Sequence, residues 1–140
     1  MIILDTDHLS ILDEDSILGF TLGRRLSGIP DNTVFITVIT YEEQMRGWLS
    51  YVAQASSIRH QVDAYAKLQR HIDKFRRMPS LDFDEKSASI YEDLRRARVR
   101  IGSMDLKIAS IALANNALLL SRNISHFGKV PGLLVEDWTL

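Results

Sequence analysis

The sequence predicts an α/β protein, a three-layer α/β/α sandwich around a mostly parallel central sheet. Three observations carry that expectation. Ile2-Ile3-Leu4 is a short, wholly apolar run that stops at a carboxylate, Asp5, and runs without alternation suit strands buried on both faces. Val34 to Ile39 and Ala117 to Leu120 are further runs of the same kind. Segments of helical length separate them, as right-handed crossovers between parallel strands require.

The elements follow in chain order. Asp7 to about Asp13 reads as a short helix with Asp7 at its N-cap, and Ile17 to Ser27 as a second. Gly28-Ile29-Pro30-Asp31-Asn32 is turn chemistry before the β-branched strand at Val34 to Ile39. Thr40 then opens a helix to about Ser50, and Thr40-Tyr41-Glu42-Glu43 reads as a capping box in which Glu43 reaches back to the Thr40 amide. A long amphipathic helix covers Ser57 to Arg76 and ends before Pro79. Leu81-Asp82-Phe83 reads as a short strand, Asp84 caps a helix to about Arg98, and Ser103 caps another to about Asn115. Leu133-Leu134-Val135 is the candidate last strand. No internal repeat, low-complexity tract or Pro/Gly-rich linker interrupts the chain, so residues 1–140 read as a single domain.

Composition narrows the function. A hydrophobic content of 46% and a charged content of 25% are those of a soluble globular protein. The apolar stretch from Ile108 to Leu120 is broken by Ser110, Asn115 and Asn116 and is too short to span a membrane. An apolar strand starting at the initial methionine leaves no room for a leader peptide, so a cytoplasmic protein is expected. The absence of cysteine excludes disulfides and thiolate metal sites and fits a reducing compartment. A net charge of -1 argues against bulk electrostatic binding to nucleic acid but not against a local basic patch.

Three carboxylates share one sheet edge on this reading. Asp5 ends the first strand, Glu43 lies early in the helix after the second, and Asp105 lies in the first turn of the helix leading to the strand at Ala117. Helices running antiparallel to a parallel sheet begin at the carboxyl ends of its strands, where open α/β folds place their ligands. Asn123, just past Leu120, reaches the same edge. A cluster of hard oxygens without sulfur suits Mg²⁺ or Mn²⁺.

Each residue also has a plainer role. Glu43 fits the capping box, Asp105 favours the helix dipole, Asp7 caps a helix, and Asn123 suits a turn. Asp5 is harder to dismiss, because a carboxylate ending a buried strand needs a partner. Convergence makes the functional case. Arg95, Arg96, Arg98 and Arg100 form a basic run just before Asp105 that can hold a nucleic-acid backbone, and Lys74, Arg76 and Arg77 form a weaker second cluster. His60 and His71 are roughly 16 Å apart along one helix, too far to share a metal. His8 and His126 are isolated and expected at the surface. No phosphate-cradling Gly-rich loop, G-x-S-x-G elbow or zinc-protease helix occurs.

Four stretches occur in a telling order. They are Leu4-Asp5-Thr6-Asp7, Thr40-Tyr41-Glu42-Glu43-Gln44-Met45-Arg46-Gly47, Ile101-Gly102-Ser103-Met104-Asp105-Leu106-Lys107-Ile108-Ala109 and Leu120-Ser121-Arg122-Asn123. With the ending Phe127-Gly128-Lys129-Val130-Pro131-Gly132-Leu133 and Val135-Glu136-Asp137-Trp138, the chain resembles the PIN domain and, within it, the VapC-like toxins of bacterial toxin–antitoxin pairs. The resemblance implies a PIN-like fold and a metal-dependent endoribonuclease cutting single-stranded or loop RNA. On that implication Asp5, Glu43 and Asp105 bind Mg²⁺ or Mn²⁺ for in-line attack of water on the phosphodiester, with Asn123 beside them. Glu43 is preferred to Glu42 because it stands four residues before Gly47. It also implies a homodimer and a small antitoxin partner, docked at a groove to which the helices at Ile17–Ser27 and Ser57–Arg76 contribute.

Two positions depart from the family pattern. Asn123 stands where some relatives carry a fourth carboxylate, and Asp7 where many carry asparagine. The smaller acid count implies one well-held ion, with a second arriving with substrate.

Two other classes compete. Asp5-Thr6-Asp7 after a buried strand resembles aspartyl phosphatases of the haloacid dehalogenase type, in which Asp5 would be the nucleophile. The later lysine and Gly-Asp pair of that chemistry have no counterpart here. A non-catalytic PIN-fold module that binds RNA or a partner is the other.

Overall fold

The computed structural model describes all residues, 1–140. Five strands, β1 (Ile2–Leu4), β2 (Val34–Thr37), β3 (Ser80–Leu81), β4 (Leu118–Leu120) and β5 (Leu134–Glu136), form one sheet in the order β3-β2-β1-β4-β5. Every pairing is parallel. Seven helices flank it: α1 (Thr6–Leu12), α2 (Ile17–Ser27), α3 (Val38–Gln54), α4 (Ile58–Arg76), α5 (Glu85–Arg96), α6 (Ser103–Ala114) and α7 (Ile124–Phe127).

The sheet has helices on both faces because its strands are apolar on both. Ile3 and Leu119 pack into one core with Leu94 of α5, Ile108 and Ile111 of α6 and Phe127 of α7. Ile2, Leu4, Ile36 and Leu120 face the other way, onto Leu9 and Ile11 of α1 and Leu22 of α2. This is the three-layer arrangement expected from the unalternated runs. The pairing Ile2↔Leu118, Ile3↔Leu119, Leu4↔Leu120 brings β1 and β4 to an end together. Asp5 and Ser121 therefore leave the sheet side by side.

Several boundaries differ from expectation, and the caps explain them. The second strand stops at Thr37, whose hydroxyl accepts from the Thr40 N–H at 3.1 Å, so α3 begins at Val38 rather than Thr40. Thr40 is thus the capped residue and not the cap, and Glu43 lies beyond the first turn, out of any capping box. The helix also runs past Ser50 to Gln54. Asp5 and not Asp7 takes the N-cap position of α1, without a side-chain cap bond. Ser103 is the first helical residue of α6 after extended Gly102, and makes no cap. Asp84 and Ser57 do cap, accepting from the Ser87 and His60 amides. The β3 strand is Ser80–Leu81 rather than Leu81 to Phe83. At the other edge, β5 lies one residue later than expected, and the short α7 has no counterpart in the sequence reading.

Two glycines of α2 test the packing of the α1–α2 turn. A Cβ on Gly19 would lie 2.4 Å from the Glu14 carbonyl oxygen and 2.7 Å from that of Ile11, whereas nothing lies within 4 Å of one on Gly23. In urea unfolding, Gly19→Ala should destabilise by about 1–3 kcal/mol through overpacking against backbone. Gly23→Ala should stabilise by about 0.5–1 kcal/mol through helix propensity. Equal effects at the two sites would contradict this packing.

Candidate active site

The acids meet at the carboxyl edge of the sheet, each carried there by a different element. Asp5 leaves β1 with its N–H donating to the Leu120 carbonyl at 2.9 Å, and the residue is 6% exposed. The Ser121 hydroxyl donates to Asp5 Oδ2 at 2.7 Å and lies 3.4 Å from Asp7 Oδ2. The Arg122 N–H donates to the same Asp7 oxygen at 2.9 Å. On α3, Glu43 Oε2 accepts the Thr6 hydroxyl at 2.8 Å, which turns it toward the start of α1. On α6, Asp105 Oδ2 accepts from Asn123 Nδ2 at 3.5 Å, and that amide also lies 3.0 Å from His126 Nδ1.

Asp7 is tied from a second side by His8, which is fully buried rather than at the surface. His8 Nε2 accepts the Trp138 N–H at 3.1 Å, so its proton sits on Nδ1 and donates to Asp7 Oδ1 at 2.8 Å. One imidazole thus joins the C-terminal segment to the acidic edge. Burial works against the charge on Asp7, but the His8 and Arg122 hydrogen bonds outweigh it and hold that carboxyl below its ordinary range.

Asp5 is treated differently. Burial pushes its carboxyl up to about 6, and the charges of Asp7 and Asp105 add to this against the hydrogen bonds from Ser121 and Thr6. Burial also raises Asp105; Asp7 raises it further, while His126 and Asn123 oppose the shift. Every lysine and arginine ion pair lies elsewhere, with Glu42, Asp63, Asp13, Asp73, Glu92 and Asp93. The edge is therefore a desolvated cluster of carboxylates with no lysine or arginine partner, bordered by His8 on Asp7 and by His126 near Asp105. That donor chemistry fits a hard divalent cation. As the side chains stand, no three of His, Asp or Glu are placed to share one ion. His71 stacks on Trp48, with ring centroids 4.0 Å apart.

The basic run divides. Arg95, Arg98 and Arg100 line one cleft of about 410 Å³ with Tyr91 and Ser103, the residue that opens α6 two positions before Asp105. Arg96 does not line it and pairs with Asp93 instead. Arg98 holds a positive φ of 59° at the end of α5, a conformation that glycine adopts more cheaply. Of the weaker cluster, Lys74 pairs with Asp13 and Arg76 with Asp73.

Thr6 and Ser121 contact the acids without having been singled out, and His8 contacts Asp7 although it was expected at the surface. A hydroxyl immediately after a buried strand whose neighbour also ends in a carboxylate was the available signal for Ser121. No helix is long and apolar enough to cross a membrane.

Comparison with known proteins agrees with this geometry. Ribonuclease VapC2 of Rickettsia felis is 39% identical over 66 residues, which are 44% of this chain and 49% of that protein. The tRNA(fMet)-specific endonuclease VapC of Salmonella typhimurium is 30% identical over 66 residues, 44% of this chain and 50% of its own. The chain thus spans about half the length of the curated relatives it matches. Among solved structures, VapBC2 from Rickettsia felis bound to a promoter DNA fragment aligns with a TM-score of 0.70 at 27% identity over 99% of both chains. VapBC-1 from nontypeable Haemophilus influenzae aligns with a TM-score of 0.69 at 26% identity over 100% of both. The PIN domain family model matches residues 2–133, nearly the whole chain, which sets the phosphatase reading aside. This chain belongs to the PIN domain family.

Proposed function

We propose that the chain is a Mg²⁺- or Mn²⁺-dependent endoribonuclease and the toxin of a toxin–antitoxin pair. The observation that carries this reading is the desolvated cluster of Asp5, Asp7 and Asp105, with Glu43 beside it, at the strand ends of a PIN domain and with no lysine or arginine partner. Similarity to VapC ribonucleases supports the substrate class.

Asp5, Glu43 and Asp105 are the residues that would hold the ion. When bound, a divalent cation supplies Lewis-acid chemistry: it makes water a nucleophile near neutral pH and offsets charge on the leaving oxygen. The chain's own groups prepare that edge. Ser121 fixes one oxygen of Asp5, Thr6 orients Glu43, and His8 with the Arg122 amide fixes Asp7. Asn123, neutral and turned onto Asp105, contributes orientation rather than charge. The cleft of Arg95, Arg98 and Arg100 beside Ser103 supplies cations for RNA phosphates. Solved relatives are toxin–antitoxin complexes, and exposed Ile17 and Phe20 on α2 with Ile58, Val62 and Tyr65 on α4 give an antitoxin or a second copy apolar surface to cover.

Purified protein incubated with total cellular RNA should yield discrete fragments with Mg²⁺ or Mn²⁺ and none with EDTA. Asp105→Asn should abolish cleavage while leaving the circular dichroism spectrum unchanged. Fragments from that variant at the wild-type rate would overturn the site, and hydrolysis of a generic phosphomonoester with intact RNA would overturn the reaction.

Asp5 yields a stability test in metal-free protein. Its folded-state pKa of about 6 lies above the ordinary 3.8, so the folded chain holds the proton more tightly than the unfolded one. Stability should be undiminished below about pH 4, fall as pH rises to about 6, and beyond that carry a cost of about 3 kcal/mol. Asp5→Asn should flatten this dependence, raise stability at neutral pH and abolish cleavage. A variant less stable than wild type at pH 7.5 would contradict the charge argument.

Arg98 gives a trade-off of the same kind. Arg98→Gly should relieve the left-handed backbone, stabilising by about 1 kcal/mol, while weakening RNA binding and lowering its salt dependence. Unchanged RNA affinity would remove Arg98 from the interface.

A further inference from the structure

A second cleft, which Glu43 helps to line, is absorbed by none of the roles above. It starts at Glu43 and Gln44, passes Gly47, and reaches Trp48, Tyr51 and Lys67, enclosing about 370 Å³ between α3 and α4. Trp48 and Lys67 also line a neighbouring cavity of about 480 Å³, completed by Arg70, His71, Lys74 and Asp13. The two spaces adjoin at Trp48 and Lys67, which line both, and Glu43 lines the first. Trp48 lies five residues along α3 from Glu43, roughly 7.5 Å of rise, a spacing on the scale of a neighbouring nucleotide.

The lining is chemically specific. Lys67, Arg70 and Lys74 face a single acid among the lining residues of the deeper part, Asp13, which pairs with Lys74. Arg70 is exposed and has no carboxylate partner. Lys67 pairs with Asp63 and lies 3.0 Å from the Tyr51 hydroxyl, both at the exposed rim. The aromatic floor is Trp48, edge-on to Tyr51 at 5.7 Å and tilted over His71 at 4.0 Å. His71 lines the second cavity, while its Nδ1 is buried and without a hydrogen-bond partner. Aromatic faces interleaved with cations, leading from an acid site, match the demands of a single-stranded nucleic acid. A flexible apolar helix would leave the cations without partners.

We propose that these adjoining clefts form a binding site for the single-stranded RNA segment flanking the scissile phosphate, with a base on Trp48 and Tyr51 and phosphates on Lys67 and Arg70. The inference extends the ribonuclease reading, from which it takes the scissile phosphate.

The test uses the full chain carrying Asp105→Asn, in EDTA, so that binding is read apart from cleavage. The probe is a fluorescein-labelled 12-nucleotide single-stranded RNA of mixed sequence, followed by anisotropy across a salt series. Adding Arg70→Gln or Lys67→Gln should weaken binding about three- to tenfold and lower the salt slope by about 0.7 each. Trp48→Leu should weaken it at least about fivefold with the salt slope unchanged. Because Trp48 packs on His71, the two exposed cation variants decide the matter should the tryptophan variant fail to fold. Unchanged affinity and slope in both would overturn the proposal, as would variants that keep RNA binding but lose an antitoxin-derived helical peptide. Wild type that binds through these residues but cleaves no RNA with Mg²⁺ or Mn²⁺ would sink the ribonuclease reading and leave the groove standing.

Discussion

The structure is organised around a buried negative charge that nothing in the chain neutralises. A carboxylate forced out of water by the strands beside it keeps its charge only if hydrogen bonds or a cation compensate it. Here Ser121 offers one hydrogen bond to Asp5, Asp7 and Asp105 repel it, and no lysine or arginine approaches. The apolar strands cause this burial: the pairing of β1 with β4 ends at Leu4 and Leu120, and the next residue of each strand must sit at the sheet edge. Core packing and site electrostatics are thus two results of one register.

The chain holds this edge in place with contacts that reach across its length. Thr6 bridges α1 to Glu43 on α3, Ser121 bridges β4 to Asp5, and His8 bridges Asp7 to the backbone at Trp138. The last of these spans nearly the whole sequence, and closing so long a loop is favourable only when the contact it secures is buried and fully satisfied. The C-terminal segment is therefore part of the site's frame. A net charge of -1 conceals local clustering, with Asp5, Asp7 and Asp105 gathered at one edge and arginines and lysines lining separate clefts.

Much of this was legible in the sequence, and the failures have physical causes. Unalternated apolar runs at Ile2–Leu4, Val34–Ile39 and Ala117–Leu120 suit strands buried on both faces, so the layers and the edge carrying Asp5, Glu43 and Asp105 followed, although Val38 and Ile39 belong to α3. The start of α3 was misplaced because Thr37 and Thr40 are equally good caps three residues apart; the buried Thr37 hydroxyl decides between them. His8 was misread because its partner lies 130 residues away, and no local pattern records a tertiary contact. Asp7 went to a cap for the same reason. The α3–α4 groove was invisible because Trp48 and His71 meet only once two long helices pack.

Mn²⁺ titration of the metal-free protein by calorimetry, in buffers of different ionisation enthalpy, tests the buried-charge account most directly. With Asp5 near pKa 6, binding at pH 6 should release about half a proton, and release should fall toward zero at pH 8. Binding that is lost in Asp5→Asn and shows that proton signature is the expected result. No Mn²⁺ binding, or binding unaffected by Asp5→Asn, would contradict it.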